Sequence, residues 1–169
     1  MNAPILDLPT CIDLARAWRQ QGQSIVFTNG HFDLMHAGHV HYLQAARAMG
    51  DRLIVGMNDD ASTRRRKGPT RPILPQGERA LLLSALRAVD AVIVWDKDDF
   101  REVVAALQPD IYVKGSDWNR AGGPLPPEAE IVEGYGGRVA YVELTPGLST
   151  SAIVQKILAQ HGCEQEDAS

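Results

Sequence analysis

A chain of 169 residues, 44% apolar and 22% charged, is long enough to close one hydrophobic core, and its formal charge of −4 excludes a broad nucleic-acid footprint or a polybasic membrane surface. The two cysteines, Cys11 and Cys163, lie near opposite ends without metal-ligand spacing, which excludes a disulfide framework and a cysteine zinc site. No apolar run approaches the roughly 20 residues of a membrane span and the N-terminus has no apolar signal core, so a soluble, cytoplasmic protein with neither nucleic-acid nor membrane partners is expected.

Along the chain, Thr10 with Asp13 three positions later has the form of a capping box, and Ile12, Leu14, Ala15 and Trp18 then predict an amphipathic helix ending near Gly22. A β-branched, apolar strand follows at 24–29, then a glycine-containing turn and a helix from about Gly38 to Met49, stopped by Gly50-Asp51. Further strands are expected at 52–57, 91–95, 110–114 and 138–142, with helices at 75–89, 99–107 and 150–159. Two stretches read as loops: 59–74, rich in Arg, Lys, Gly and Pro, and 116–127, which holds Gly122, Gly123, Pro124, Pro126 and Pro127. One domain is expected over 1–161, followed by a polar, acidic tail at 162–169 that is poorly ordered.

Strands that are apolar almost throughout, separated by helices, predict a doubly wound, Rossmann-like α/β fold: a parallel sheet of about five strands with helices on both faces. Ligands in such sheets sit at the C-terminal ends of the strands, which directs attention to the residues after Asn29, Asn58, Trp95, Lys114 and Val142.

The densest chemistry lies in the first of these places. The segment Thr28 to His41 (TNGHFDLMHAGHVH) holds four of the five histidines within eleven residues. His36 and His39 are three apart at a helix start, so both imidazoles can face the point toward which the free backbone N–H groups are directed, and that point attracts anions. Gly38, like Gly30 in the preceding turn, would let backbone and phosphate approach closely. Zinc is the competing reading of the pair, but a third ligand at matching spacing is missing apart from Asp33, and no metal bound by the protein itself is expected. His31 and His41 read more readily as structural histidines.

TNGHFDLMHAGH resembles the signature of the cytidylyltransferase-like nucleotidyltransferases, a G-x-F-D turn followed by H-x-G-H. The blocks GDRLIVGMNDDAST, KGPTRPILPQGER, VDAVI, PDIYVKGSDW and GLSTSAI are similar, in order and spacing, to those of the D-glycero-β-D-manno-heptose 1-phosphate adenylyltransferases, over about 24–157. The glycerol-3-phosphate cytidylyltransferases carry an Arg-Thr pair where this chain has Leu144-Thr145, which weighs against cytidylyl transfer.

The resemblance implies that His36 and His39 contact the triphosphate and stabilise the transition state, with the backbone around Gly30 to Phe32 against the α-phosphate and Thr28 and Asn29 among the nucleotide-binding residues. Asp33 would orient this loop or a metal-bound water, a plain turn aspartate being the alternative. Lys67 would neutralise phosphate as a third catalytic group, against the reading of 64–67 as a solvated charge run. Arg79 would hold phosphate or nucleotide, unless it is an ordinary surface arginine. Lys114 and Gly115 end a strand at the ligand edge, Asp117 and Trp118 would line the acceptor pocket, and Ser149, Thr150 and Ser151 precede the last helix, where hydroxyls and amides bind phosphates. The substrates implied are ATP, with Mg²⁺ bound through the nucleotide, and a phosphorylated sugar; a homodimer and a separate kinase that makes the acceptor are also implied. Other acceptors with the same chemistry (CTP with glycerol 3-phosphate, ATP with flavin mononucleotide) and a non-catalytic nucleotide-binding module are the competing readings.

Overall fold

The computed structural model describes residues 1–118 and 125–161, so Gly122, Gly123 and Pro124 of the second expected loop and the acidic tail lie outside the described residues. Among the described residues six strands form one parallel sheet. They are β1 (Ile5–Leu6), β2 (Ile25–Gly30), β3 (Arg52–Asn58), β4 (Ala91–Trp95), β5 (Ile111–Gly115) and β6 (Arg138–Val142), in the spatial order β1-β4-β3-β2-β5-β6. The parallel, doubly wound expectation holds. The additional strand β1 pairs through two residues, Ile5 with Val92 and Leu6 with Ile93. So short an edge, between Pro4 and Pro9, carries no periodicity from which it could be read.

The helices are α1 (Leu8–Gln20), α2 (Ala37–Arg47), α3 (Asp60–Lys67), α4 (Gln76–Ser84), α5 (Arg101–Leu107), α6 (Ala129–Gly134) and α7 (Thr150–His161). The capping expectation at Thr10 is corrected: Asp7 is the N-cap and its carboxylate accepts from the Thr10 amide at 2.9 Å. Pro9 then falls in the first turn, where its missing N–H costs nothing. The stretch expected as a loop at 59–74 begins with α3, capped by Asp59, whose carboxylate accepts from the Ser62 amide at 2.6 Å. Its inward side is made of the small polar residues Ser62 and Thr63, so hydrophobic periodicity gave no sign of it. Helix α6 is missed for a related reason, since it buries only Ala129 and Val132. Helix α4 is shorter than the expected 75–89, ending at Ser84.

Alternation along the strands divides the core. Val26, Leu53, Val55 and Met57 face α2 and α4, packing with Leu43, Ala46, Ala80 and Leu83. Ile25, Phe27, Ile54 and Tyr112 point the other way, toward α1, α5 and α6. The crossovers β2→β3 and β3→β4 therefore lie on one face and β5→β6 on the other, and the winding reverses between β2 and β5. A crevice opens at the carboxyl ends of strands at such a point. On the second face β3 must be thin: a Cβ at Gly56 would stand 2.4 Å from the Phe100 ring and 2.7 Å from that of Phe27. Gly56→Ala is expected to cost roughly 1–3 kcal/mol through overpacking, read as a lower urea midpoint at unchanged slope; an unchanged midpoint would show that the two rings yield freely.

Candidate active site

The turn from β2 into α2 builds the centre of the crevice. Phe32 takes a positive φ of 46°, unusual for a bulky residue, and its ring lies 5.5 Å from that of His39. Gly30 makes room for this ring, because a Cβ there would come within 3.2 Å of it. His36 is the N-cap of α2, and its imidazole folds over Gly38, where a Cβ would stand 2.9 Å away. The sequence reading gave Gly38 to phosphate approach; the structure adds the space that the His36 ring needs.

The rings of His36 and His39 lie against each other with centroids 4.0 Å apart and a tilt of 33° between their planes. The His36 amide donates to His39 Nδ1 at 3.4 Å, so the proton of a neutral His39 sits on Nε2. Nδ1 of His36 is buried without a partner among the described residues. Burial, and then the neighbouring His36, push His39 down to about 4; burial also lowers His36. Near neutral pH the pair therefore consists of two uncharged imidazoles beside the free amides of α2, able to donate hydrogen bonds without mutual charge repulsion.

These groups open on a cavity of about 570 Å³ that also receives Asn29, Gly30, Phe32, Asp33 and Lys67. From β5 come Lys114 and Gly115, from the 3-10 turn that follows it (Ser116–Trp118) come Asp117 and Trp118, and from the start of α7 come Ser149, Thr150 and Ser151. Lys114 is buried, with its ammonium 5.5 Å from the Tyr112 ring and 5.1 Å from that of Trp118, and burial lowers its proton affinity. Asn29 is fixed from below by the Tyr112 hydroxyl at 2.7 Å, which also meets the buried Glu128 carboxylate at 2.9 Å. Gly115 has no room for a Cβ, which would stand 2.5 Å from Asp117 and 3.0 Å from Leu144. Ser149 accepts from the Ala152 amide at 3.0 Å, a capping bond, and Thr150 donates to the Leu34 carbonyl at 3.3 Å.

Two expected contact residues do not line the cavity. Thr28 is fully buried; its hydroxyl lies 2.7 Å from that of Tyr42, and both reach the Val113 carbonyl, so it ties β2, α2 and β5 together beneath the floor. Arg79 is also fully buried and is neither a ligand group on the cavity wall nor a surface arginine. Its guanidinium donates to the carbonyls of Leu74, His31 and Asn58 at 3.0, 2.6 and 2.8 Å and pairs with Asp60 at 2.7 Å. An arginine on an apparently amphipathic helix gives no sign of such burial in sequence. Asp33 braces the loop: it accepts from the Ile73 and Leu74 amides at 2.6 and 3.3 Å and pairs with Arg71 at 2.7 Å. Arg71, Tyr42, Leu148 and His31 line the cavity although sequence reasoning gave the first three no role and read His31 as structural. His31 Nδ1 lies 3.1 Å from the Thr63 hydroxyl. His41 stays outside, 3.4 Å from Thr145.

A crevice at the winding reversal, with two helix N-termini and basic side chains, defines a nucleotide-binding α/β protein. Residues 27–156 match the cytidylyltransferase-like family model. The bifunctional protein HldE of Syntrophotalea carbinolica is 46% identical over 153 residues, covering 88% of this chain and 30% of that protein. Its counterpart from Geobacter sulfurreducens is 45% identical over 163 residues, covering 96% and 33%. The chain thus spans about a third of the length of these curated relatives. A crystal structure of the lipopolysaccharide core biosynthesis protein from Thermoplasma volcanium is 31% identical with a TM-score of 0.59, covering 73% of this chain and 98% of that one. Pantoate-beta-alanine ligase from Francisella tularensis, 12% identical with a TM-score of 0.61 over 92% of this chain and 73% of its own, shares the fold alone. The chain belongs to the cytidylyltransferase-like family and is an enzyme of the nucleotidyltransferase class.

The buried histidines give the fold a pH dependence. Burial, followed by Lys67, Arg66, Arg79 and Lys114, holds His31 at about 4, as burial and His36 hold His39, both below the ordinary 6.5. On acidification the unfolded chain takes up these protons first, so their contribution to stability is complete above pH 6.5 and is lost toward pH 4. A His31→Gln/His39→Gln variant should show a shallower fall of the urea midpoint across this window than the wild type. Parallel profiles would contradict burial of the two rings in the neutral form.

Proposed function

We propose that the chain transfers AMP from ATP to a sugar 1-phosphate, with D-glycero-β-D-manno-heptose 1-phosphate as the favoured acceptor, and releases pyrophosphate. The observation that carries this reading is the convergence of two neutral imidazoles and the α2 amides on one cavity at the winding reversal. The match to proteins named HldE over most of this chain supports the heptose acceptor, and the Leu144 side chain in the cavity wall supports adenylyl over cytidylyl transfer.

An acceptor phosphate oxygen attacks the α-phosphorus in line, forming the new P–O bond as the bond to the pyrophosphate oxygen breaks and takes its electron pair with the leaving group. The attacking oxygen is already anionic near neutral pH, so the reaction needs no strong general base and the protein contributes position and charge stabilisation. His36 and His39 donate to oxygens on which charge builds up, and the amide end of α2 adds its dipole. Ser149, Thr150 and Ser151 at the start of α7 hold the remaining phosphates, and Lys67 at the end of α3 neutralises phosphate charge at the reacting centre. Mg²⁺ would arrive on the triphosphate, as part of the substrate. Because the acceptor must already carry its phosphate, a kinase reaction has to precede this one. Among the described residues no helix is long and apolar enough to cross a membrane, and we place the reaction in the cytoplasm.

His36→Ala and His39→Ala should each lower kcat by roughly 10²- to 10³-fold with melting temperatures close to that of the wild type. The assay is pyrophosphate release with Mg²⁺, each of four nucleoside triphosphates and a panel of phosphomonoesters headed by heptose 1-phosphate. Turnover confined to CTP, or to a different acceptor, would remove the heptose assignment and keep the imidazole chemistry. Wild-type turnover in the double variant would remove the mechanism.

A further inference from the structure

The cavity has two unlike walls. Strands β3 and β6 lie on opposite sides of the β2–β5 pair, so segments that follow them approach the crevice from opposite directions. On the β5–β6 side Trp118, Leu144 and Leu148 supply aromatic and apolar surface, suited to a flat base. On the β3 side stand His31, Lys67 and Arg71, with Asp33 beneath. In-line displacement at the α-phosphorus requires the attacking group and the leaving pyrophosphate to be on opposite sides. The start of α7, beyond β6, already gathers amides and hydroxyls for the triphosphate.

Of the two cations on this wall, Arg71 is the one whose direction a hydrogen bond to a described residue fixes. One terminal nitrogen, Nη1, donates to Asp33 at 2.7 Å, and the side chain is 21% exposed. The other donors of its fork bond no further described residue. Asp33 also accepts from the amides of Ile73 and Leu74, so its charge is shared among three donors and leaves the guanidinium electropositive. A planar fork held in this way matches a phosphate in a bidentate manner, which the point charge of a lysine at the end of α3 does not.

We propose that Arg71 binds the phosphate of the acceptor and aims it at the α-phosphorus, with Asp33 as the positioning residue that sets the fork. The inference rests on the acceptor being a phosphomonoester, as argued above, and it moves the anionic end of the acceptor away from the Asp117–Trp118 wall to which the sequence pointed. Two anions must approach each other here, and the guanidinium lowers their repulsion where the bond forms.

The test is steady-state kinetics on the full chain, with ATP and acceptor varied independently, for the wild type, Arg71→Met, Arg71→Gln and Asp33→Asn. Arg71→Met should raise the acceptor KM roughly 10- to 100-fold, the loss expected for a charge-assisted hydrogen bond, and leave the ATP KM close to the wild-type value. Arg71→Gln, which keeps a donor for Asp33 without the charge, should show the same split and carries the test if the methionine variant does not fold. Asp33→Asn should raise the acceptor KM by less. A raised ATP KM with an unchanged acceptor KM would place Arg71 on the triphosphate and overturn the proposal, as would two unchanged constants. Wild-type silence with every phosphomonoester would remove the acceptor reading and this inference together, and it appears in the wild-type arm, whereas failure of the Arg71 assignment alone appears only in the variants.

Discussion

Between β2 and β5 the winding of the chain reverses, and the gap this leaves at the carboxyl ends of the strands is where the polar features of the active site collect. A parallel sheet forces each crossover back over a face, and the reversal keeps crossover helices from covering this point. The turn after β2 must therefore send its chain sharply into α2 while pointing amides at the gap. The positive φ of Phe32 and the tight spaces around Gly30 and Gly38 are the local consequences.

A second consequence is electrostatic. Lys67 and Arg71 line one side of the crevice, on a segment held at both ends by hydrogen bonds. The buried Arg79 fastens the ends of β2 and β3, the start of α3 and the segment before α4 to one another through three carbonyls and Asp60. A buried guanidinium is tolerable because its hydrogen bonds are so fully used. Asp33 does the corresponding work from the loop side, through Ile73, Leu74 and Arg71. Together they present Lys67 and Arg71 to the cavity on a framed segment, while burial leaves the imidazoles uncharged beside them.

Much of this was legible in the sequence where chemistry and local geometry coincide. The H-x-G-H block sits at a strand-to-helix junction, so its spacing alone placed His36 and His39 together, and the apolar strands with their intervening helices specified a parallel sheet. What stayed hidden depends on contacts far apart in the chain. Nothing about Arg79 in sequence distinguishes a solvent-facing arginine from one that bonds His31 and Asn58, and the pairing of Asp33 with Arg71 spans 38 positions. Thr28 shows the same limit, since its place under the floor is set by Tyr42 and Val113. Helix α3 and strand β1 escaped notice because one buries polar residues and the other has two residues in all.

The central claim is that His36 and His39 act as uncharged donors beside the amide end of α2. The most direct measurement is a ¹⁵N NMR titration of the imidazole nitrogens, assigned by single substitution. The account predicts that both rings are neutral at pH 7, with His39 carrying its proton on Nε2 and taking up a second only near pH 4. An imidazolium at either position at pH 7, or a His39 protonated on Nδ1, would contradict it.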